Sequence, residues 1–202
     1  MKTQNDIDSG SLNFISGCSR SGTTLLSKII NSHESMICPP ESDFAVNFHF
    51  HYRHKKILNQ KDIADIYPNL WNTKDSTSKL WNLDGELFTK NLLLDKKNTS
   101  LLHLTKSIIH TFSPEKKVSH YFDKNPFHLH ILKSLNHTHP ASKFIFIVRD
   151  YRGRFASIKN VSPKKTLTFG ISWIQQQKKI LHFIKKHPEK SLLIKYEDLV
   201  KT

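Results

Sequence analysis

The ten residues Gly17-Cys18-Ser19-Arg20-Ser21-Gly22-Thr23-Thr24-Leu25-Leu26, directly after the apolar run Leu12-Asn13-Phe14-Ile15, carry the groups for anion chemistry. Two glycines bound a polar turn that holds one arginine and is followed by two threonines. A strand, a glycine-bounded turn and a helix start, in that order, build a cradle. Successive backbone N–H groups point inward, and the helix N-terminus adds its positive dipole end. Glycine at both ends permits the tight turn and the close approach of an oxyanion. The segment is expected to bind a group such as a phosphate or a sulfate.

The spacing of Gly17 and Gly22 matches the nucleotide-hydrolase loop G-x-x-x-x-G-K-S/T, but Thr23 stands where that loop has Lys. The cation lies inside the turn instead, as Arg20. In a nucleotide hydrolase the Lys neutralises the outer phosphates, while a hydroxyl residue and a downstream Asp hold Mg²⁺. One guanidinium and two adjacent hydroxyls suit a group of lower charge than a γ-phosphate, such as a sulfuryl group, and require no metal. A P-loop small-molecule kinase is the rival reading, with Asp150 as the carboxylate that keeps it open.

A second segment points the same way. Phe144-Ile145-Phe146-Ile147-Val148, after Lys143, is a continuous apolar run of the kind found in strands buried on both faces. It ends in Arg149-Asp150-Tyr151-Arg152, and the carboxyl ends of strands are where open α/β sheets bind ligands. A helix is expected next. Ser157 lies eight residues beyond Arg149, about two helical turns in, where a side chain can return toward the strand end.

Together these segments resemble the sulfotransferases that use 3′-phosphoadenosine-5′-phosphosulfate (PAPS). That family carries a K/R-x-G-T-T loop for the 5′-phosphosulfate and a strand-ending R-D-x-R followed by Ser for the 3′-phosphate. Both stand here, as Arg20-Ser21-Gly22-Thr23-Thr24 and as Arg149-Asp150-Tyr151-Arg152 with Ser157. Pro40-Glu41, Asp123-Lys124-Asn125-Pro126 and Tyr196-Glu197-Asp198-Leu199 are further landmarks, and the form of the loop is closest to the bacterial and tyrosylprotein-type branches. Tyr151 departs from the Pro usual at its position. The resemblance spans roughly residues 12 to 199.

The resemblance implies a donor site and a reaction. Ser21, Gly22, Thr23 and Thr24 would hold the 5′-phosphate, with backbone amides from Ser21 to Thr24. Arg149 and Ser157 would take the 3′-phosphate, and Tyr196 would face the adenine. Arg20 would stabilise the charge that develops on the bridging oxygen as an always-protonated clamp. Glu41 is the candidate general base. Lys124 either contacts the sulfuryl oxygens or neutralises Asp123, and Arg152 either joins the phosphate site or pairs with Asp150. Family members continue past the Y-E-D-L strand into a basic, Gly-containing loop and C-terminal helices, so the resemblance implies that this chain lacks them. A truncated, non-catalytic protein that binds PAPS or its product is the alternative.

The composition sets outer bounds. The 202 residues suit a single domain, with residues 1–11 as a flexible N-terminus. A formal net charge of +14 implies affinity for anions, which include the nucleotide donor and acidic glycans. The basic residues are scattered rather than interleaved with aromatics on one face, so a nucleic-acid partner is not expected. The acceptor is a carbohydrate, lipid, peptide or small molecule, with a glycan hydroxyl favoured. Two cysteines, Cys18 and Cys38, form no disulfide framework and read as buried free thiols. His49-x-His51-x-x-His54 lacks a Cys partner, and no metal site is expected. With no basic-then-apolar leader and no apolar run long enough to span a membrane, a cytoplasmic setting is expected.

The elements that must position these residues follow from hydrophobic spacing. Strands are expected at Leu12–Ser16, Met36–Cys38, Val118–Phe122, Lys143–Val148 and, as a last buried strand, Ser191–Lys195. Thr23–Asn31 should be a helix burying Leu25, Leu26, Ile29 and Ile30. Pro126 should open a helix running to Asn136. Thr166–Lys186 should be a long amphipathic helix, with Leu167, Ile174 and Leu181 recurring every seven and Trp173, Ile180 and Ile184 beside them. Residues 41–117 read as a mostly helical acceptor-side region with polar connections such as Asn72–Ser78. Strand–helix alternation predicts an α/β fold: a three-layer parallel sheet with helices on both faces, of the P-loop NTPase-like sulfotransferase kind.

Overall fold

A computed structural model of the chain describes residues 7, 9–41, 44–66, 84–94, 99–159 and 166–201. The elements run β1 (Ser11–Gly17), α1 (Thr23–Asn31), β2 (Met36–Ile37), α2 (Phe44–Tyr52), α3 (Gln60–Ala64), α4 (Gly85–Leu94), α5 (Leu101–His110) and β3 (His120–Lys124). They continue with α6 (His128–Thr138), β4 (Phe144–Val148), α7 (Tyr151–Lys159), α8 (Thr166–Lys186), β5 (Ser191–Lys195) and α9 (Tyr196–Leu199). The strands form one five-stranded parallel sheet in the order β2-β3-β1-β4-β5, with helices around it. The expected α/β architecture is the one observed.

By its contacts the chain divides into two units. The first comprises residues up to Leu12 and Ile30–Asp123. Its interior is built from Phe48, Leu58, Ile63, Ile66, Leu104, Ile108 and Tyr121, all buried. Local chemistry sets its helices. Asn59 and Asp62 form a reciprocal capping box at the start of α3. Ser100 caps α5 by accepting from the His103 N–H at 3.0 Å. The Asn31 amide, at the end of α1, accepts from the Cys38 N–H at 2.8 Å and donates to the Cys38 carbonyl at 2.6 Å. That pairing fixes where the chain leaves β2 and enters Pro39-Pro40-Glu41. The connection at Asn72–Ser78 lies outside the described residues.

The second unit comprises Asn13–Ile29 and Lys124–Thr202. Here β4 lies between β1 and β5, pairing Phe144–Ile147 with Phe14–Gly17 on one side and Phe144–Val148 with Ser191–Lys195 on the other. Phe14, Phe144, Phe146 and Phe183 make the core, with ring centroids of Phe14 and Phe144 5.4 Å apart and of Phe144 and Phe183 4.8 Å apart. Each such ring contributes about 1.5–3 kcal/mol by leaving water.

Four expectations about burial and boundaries are corrected. The third strand runs His120–Lys124 rather than Val118–Phe122, so Asp123 and Lys124 lie inside it. β5 pairs with β4 alone and stands at the sheet edge, with Leu192 54% and Leu193 39% exposed, because no further strand covers it among the described residues. In α1, Leu26 and Ile30 are buried while Ile29 is exposed, since only one narrow stripe of this short helix meets the core. In α8 the buried residues include Phe169, Ile180 and Phe183, whereas Ile174 and Leu181 face outward.

Asn31 pairs with both the N–H and the carbonyl of Cys38. Asn31→Ala is expected to destabilise the protein by about 1–3 kcal/mol, read as a lower midpoint in urea with an unchanged slope. An unchanged midpoint would show that this amide pair is not what anchors β2.

Candidate functional site

The site is described within the second unit, around the turn between β1 and α1. Gly17 ends β1 where an added Cβ would run into the Ile147 carbonyl of β4, a backbone atom that cannot move aside. Arg20 has φ +68°, the one positive φ of a non-glycine residue among those described, and Gly22 has φ +99°. Left-handed residues alternating with right-handed ones turn consecutive N–H groups toward one point, the geometry of an anion nest. For arginine this conformation costs about 1–2 kcal/mol, so neighbours must enforce it.

The neighbours do so by capturing carbonyls. The Cys18 carbonyl accepts from the Ser21 N–H at 3.1 Å. The Ser19 carbonyl accepts from Arg154 Nε at 2.7 Å. The Arg20 carbonyl accepts from Arg149 Nη1 at 3.3 Å. The Gly22 carbonyl begins α1 by accepting from the Leu26 N–H at 3.0 Å. The Ser21 amide thus donates within the turn. The amides of Gly22, Thr23 and Thr24 open the helix, where N–H groups have no intrahelical partner. Ser21 Oγ is fully buried in the turn with no hydrogen-bond partner among the described residues. An orphaned hydroxyl in that position fits a cradle meant for an anion.

Distant residues converge on the turn. Arg20 Nε donates to Ser157 Oγ at 3.0 Å, joining residues 137 apart in sequence. The Arg149 guanidinium lies 4.1 Å over the Tyr196 ring. That ring in turn packs against Gly22, where a Cβ would strike it. Arg20, Ser21, Gly22, Arg149, Ser157 and Tyr196 therefore form one cluster. Thr23 is buried and Thr24 exposed at the start of α1.

The motif around Arg149 is held from outside. Arg152 embraces Asp150 with two bonds, Nε to Oδ1 at 3.0 Å and Nη2 to Oδ2 at 3.3 Å. These bonds hold the Asp150 carboxyl below its ordinary range. Of the two roles open for Arg152, the structure shows the pairing. Asp150 donates its N–H to Glu197 Oε1 at 2.9 Å, so the Y-E-D-L segment braces the strand end. Lys124 is buried at the end of β3. The next residue, Asn125, donates its N–H to the Ile15 carbonyl at 3.2 Å. Glu41, half-buried after Pro40, belongs to the first unit.

Three participants were not read from the sequence. Arg154 is 1% exposed, reaches Ser19 and stacks 3.8 Å over Phe169. Gln177 Nε2 donates to Cys18 Sγ at 3.5 Å. Glu197 is the brace already described. The available signal was spacing: Arg154 is three residues before Ser157, on the same face of α7. Cys18 and Cys38 are both buried free thiols. Burial pushes the Cys18 thiol up, partly opposed by the Arg154 charge and the Gln177 bond. Among the described residues no group of three or more His, Cys, Asp or Glu is placed to hold a metal ion. No described helix is long and apolar enough to cross a membrane.

A parallel sheet whose central strand ends in a glycine-bounded, arginine-bearing anion turn defines a P-loop-like α/β protein. The chain belongs to the sulfotransferase family, whose model matches residues 13–202. No curated protein shows significant similarity to the chain. Among solved structures it is similar to the sulfotransferase domain from the curacin biosynthetic pathway, at 23% identity and TM-score 0.57, covering 96% of this chain and 69% of that one. It is likewise similar to the sulfotransferase domain of the Synechococcus PCC 7002 olefin synthase, at 19% identity and TM-score 0.63, covering 95% of this chain and 68% of that one. These two likenesses concern the fold.

Gly17 and Gly170 make opposite predictions. Gly17→Ala must displace β4 backbone and should cost about 1–3 kcal/mol. Gly170→Ala meets only an ordinary contact, 3.5 Å from the Tyr151 hydroxyl. Inside α8 it should stabilise by up to about 1 kcal/mol through helix propensity. Thermal unfolding of both variants checks this, and a harmless Gly17→Ala would contradict the close strand approach.

Proposed function

We propose that the protein binds PAPS and transfers its sulfuryl group to an acceptor hydroxyl or amine. The observation that carries this reading is the convergence of Arg20, Arg149, Ser157 and Tyr196 on one turn. A 3′,5′-bisphosphorylated adenosine offers two anions on a ribose that also carries an aromatic base, and this cluster supplies cations, hydroxyls and a ring in matching kind.

In this reading the amides of Gly22, Thr23 and Thr24, with the hydroxyls of Ser21, Thr23 and Thr24, hold the 5′-phosphate. Arg149 and Ser157 hold the 3′-phosphate, and Tyr196 faces the adenine. Arg20 releases Ser157 when nucleotide enters and turns to the bridging oxygen. There it stabilises the negative charge that grows as the sulfur–oxygen bond to phosphate breaks. The acceptor oxygen or nitrogen attacks sulfur in line, forming the new bond while the electron pair of the old one stays on the phosphate. Lys124 steadies the sulfuryl oxygens, and a general base takes the acceptor proton. The products are a sulfated acceptor and adenosine 3′,5′-bisphosphate. The net charge of +14 supports an acidic acceptor such as a glycan, and two buried free thiols support a reducing, cytosolic setting.

Calorimetry with adenosine 3′,5′-bisphosphate and with its 3′-hydroxyl analogue tests the reading. The wild-type protein should prefer the bisphosphate. Arg149→Ala should weaken the bisphosphate by about 10–100-fold and leave the analogue nearly unchanged, since one charge-assisted contact is removed. No binding of the bisphosphate at millimolar concentration, or equal weakening of both nucleotides, would overturn it.

A further inference from the structure

We infer that Arg154 is the positioning residue of the anion turn, fixing the Ser19–Arg20 peptide so that its carbonyl is held away from the ligand and Arg20 keeps its left-handed backbone. The inference rests on reading the turn as an anion cradle.

A guanidinium 1% exposed has given up its water and is retained only where it makes strong bonds. Arg154 spends its Nε on the Ser19 carbonyl at 2.7 Å and its Nη2 on the Ser19 hydroxyl at 3.5 Å. Its flat face lies 3.8 Å over Phe169, which fixes the plane of the fork. Nη1 is buried without a hydrogen-bond partner among the described residues, so the side chain is not placed for its own satisfaction.

The consequence for the turn is geometric. A trans peptide carries its carbonyl and its N–H on opposite edges. Holding the Ser19 oxygen against Arg154 turns the Arg20 N–H to the other side and restricts the rotation that would relax Arg20 from φ +68°. Arg149 holds the next carbonyl, that of Arg20 itself, at 3.3 Å. Two arginines thus remove two consecutive oxygens that would repel an anion. Arg154 and Ser157, three apart on α7, grip Ser19 and the Arg20 side chain respectively. One helical turn therefore holds the backbone of the turn and, without ligand, the Arg20 side chain as well.

The test compares wild type with Arg154→Met and Arg154→Lys. The readouts are calorimetry with adenosine 3′,5′-bisphosphate and amide hydrogen exchange over residues 17–25 without ligand. Arg154→Met keeps the apolar stem but cannot reach the carbonyl. It should raise the bisphosphate Kd about tenfold or more and accelerate exchange in the turn, with exchange in Phe144–Val148 unchanged. Arg154→Lys restores one donor and should recover part of both losses. Wild-type affinity and wild-type exchange in Arg154→Met would overturn the inference. So would exchange raised equally in the turn and in Phe144–Val148, which marks a general stability role. If Arg154→Met does not fold, Arg154→Lys decides by the same readouts, with losses in both supporting the inference and losses in neither overturning it. If wild type does not bind the bisphosphate, the donor reading falls, and exchange in the unliganded variants still decides the role of Arg154.

Discussion

An anion tolerates only one edge of a peptide, and the structure depends on presenting that edge alone. The turn between β1 and α1 achieves it by giving four of its carbonyls a donor. Ser21 takes that of Cys18, Arg154 that of Ser19, Arg149 that of Arg20 and Leu26 that of Gly22. The donors come from the turn itself, from α1, from the end of β4 and from α7. The parallel order that puts β4 beside β1 is what brings the arginines of residues 149 and 154 within reach. The strained backbone of Arg20 is the price of a turn with this polarity, and the bonds on either side of it maintain the strain.

Much of this was legible because it depends on local chemistry. The α1 and α8 boundaries and the β5 boundaries follow from periodicity and flanking residues, and the observed spans match them. That the segments around Arg20 and Arg149 belong together was legible from residue type and spacing, and they meet at one turn. What could not be read depends on partners far along the chain. Whether Ile29 or Leu26 is buried is decided by which stripe of α1 meets the core, since both are apolar. Ile174 and Leu181 keep a heptad spacing, yet the core takes Phe169, Ile180 and Phe183. β5 has the composition of a buried strand but lies at the edge, a fact of sheet order rather than of its own residues.

Arg154 shows the same limit in the site. In the sequence it is one of several basic residues at the start of α7, and charge alone favours a solvated position. Only its register with Ser157, one turn on, indicated that it points back toward the turn. Arg152, the more prominent by motif, is 90% exposed and occupied with Asp150. The region expected to face an acceptor was hardest to read. Residues 41–117 form helices α2 to α5 where described, with cores set by ordinary apolar packing and caps such as Asn59 and Ser100. None of those signals is specific to a substrate.

The most direct measurement is a crystal structure of the protein soaked or co-crystallised with adenosine 3′,5′-bisphosphate. The account predicts the 5′-phosphate on the amides of Gly22 to Thr24, the 3′-phosphate on Arg149 and Ser157, and the carbonyls of Ser19 and Arg20 still turned to their arginines. A nucleotide bound elsewhere, or a turn that flips those carbonyls toward it, would contradict the account.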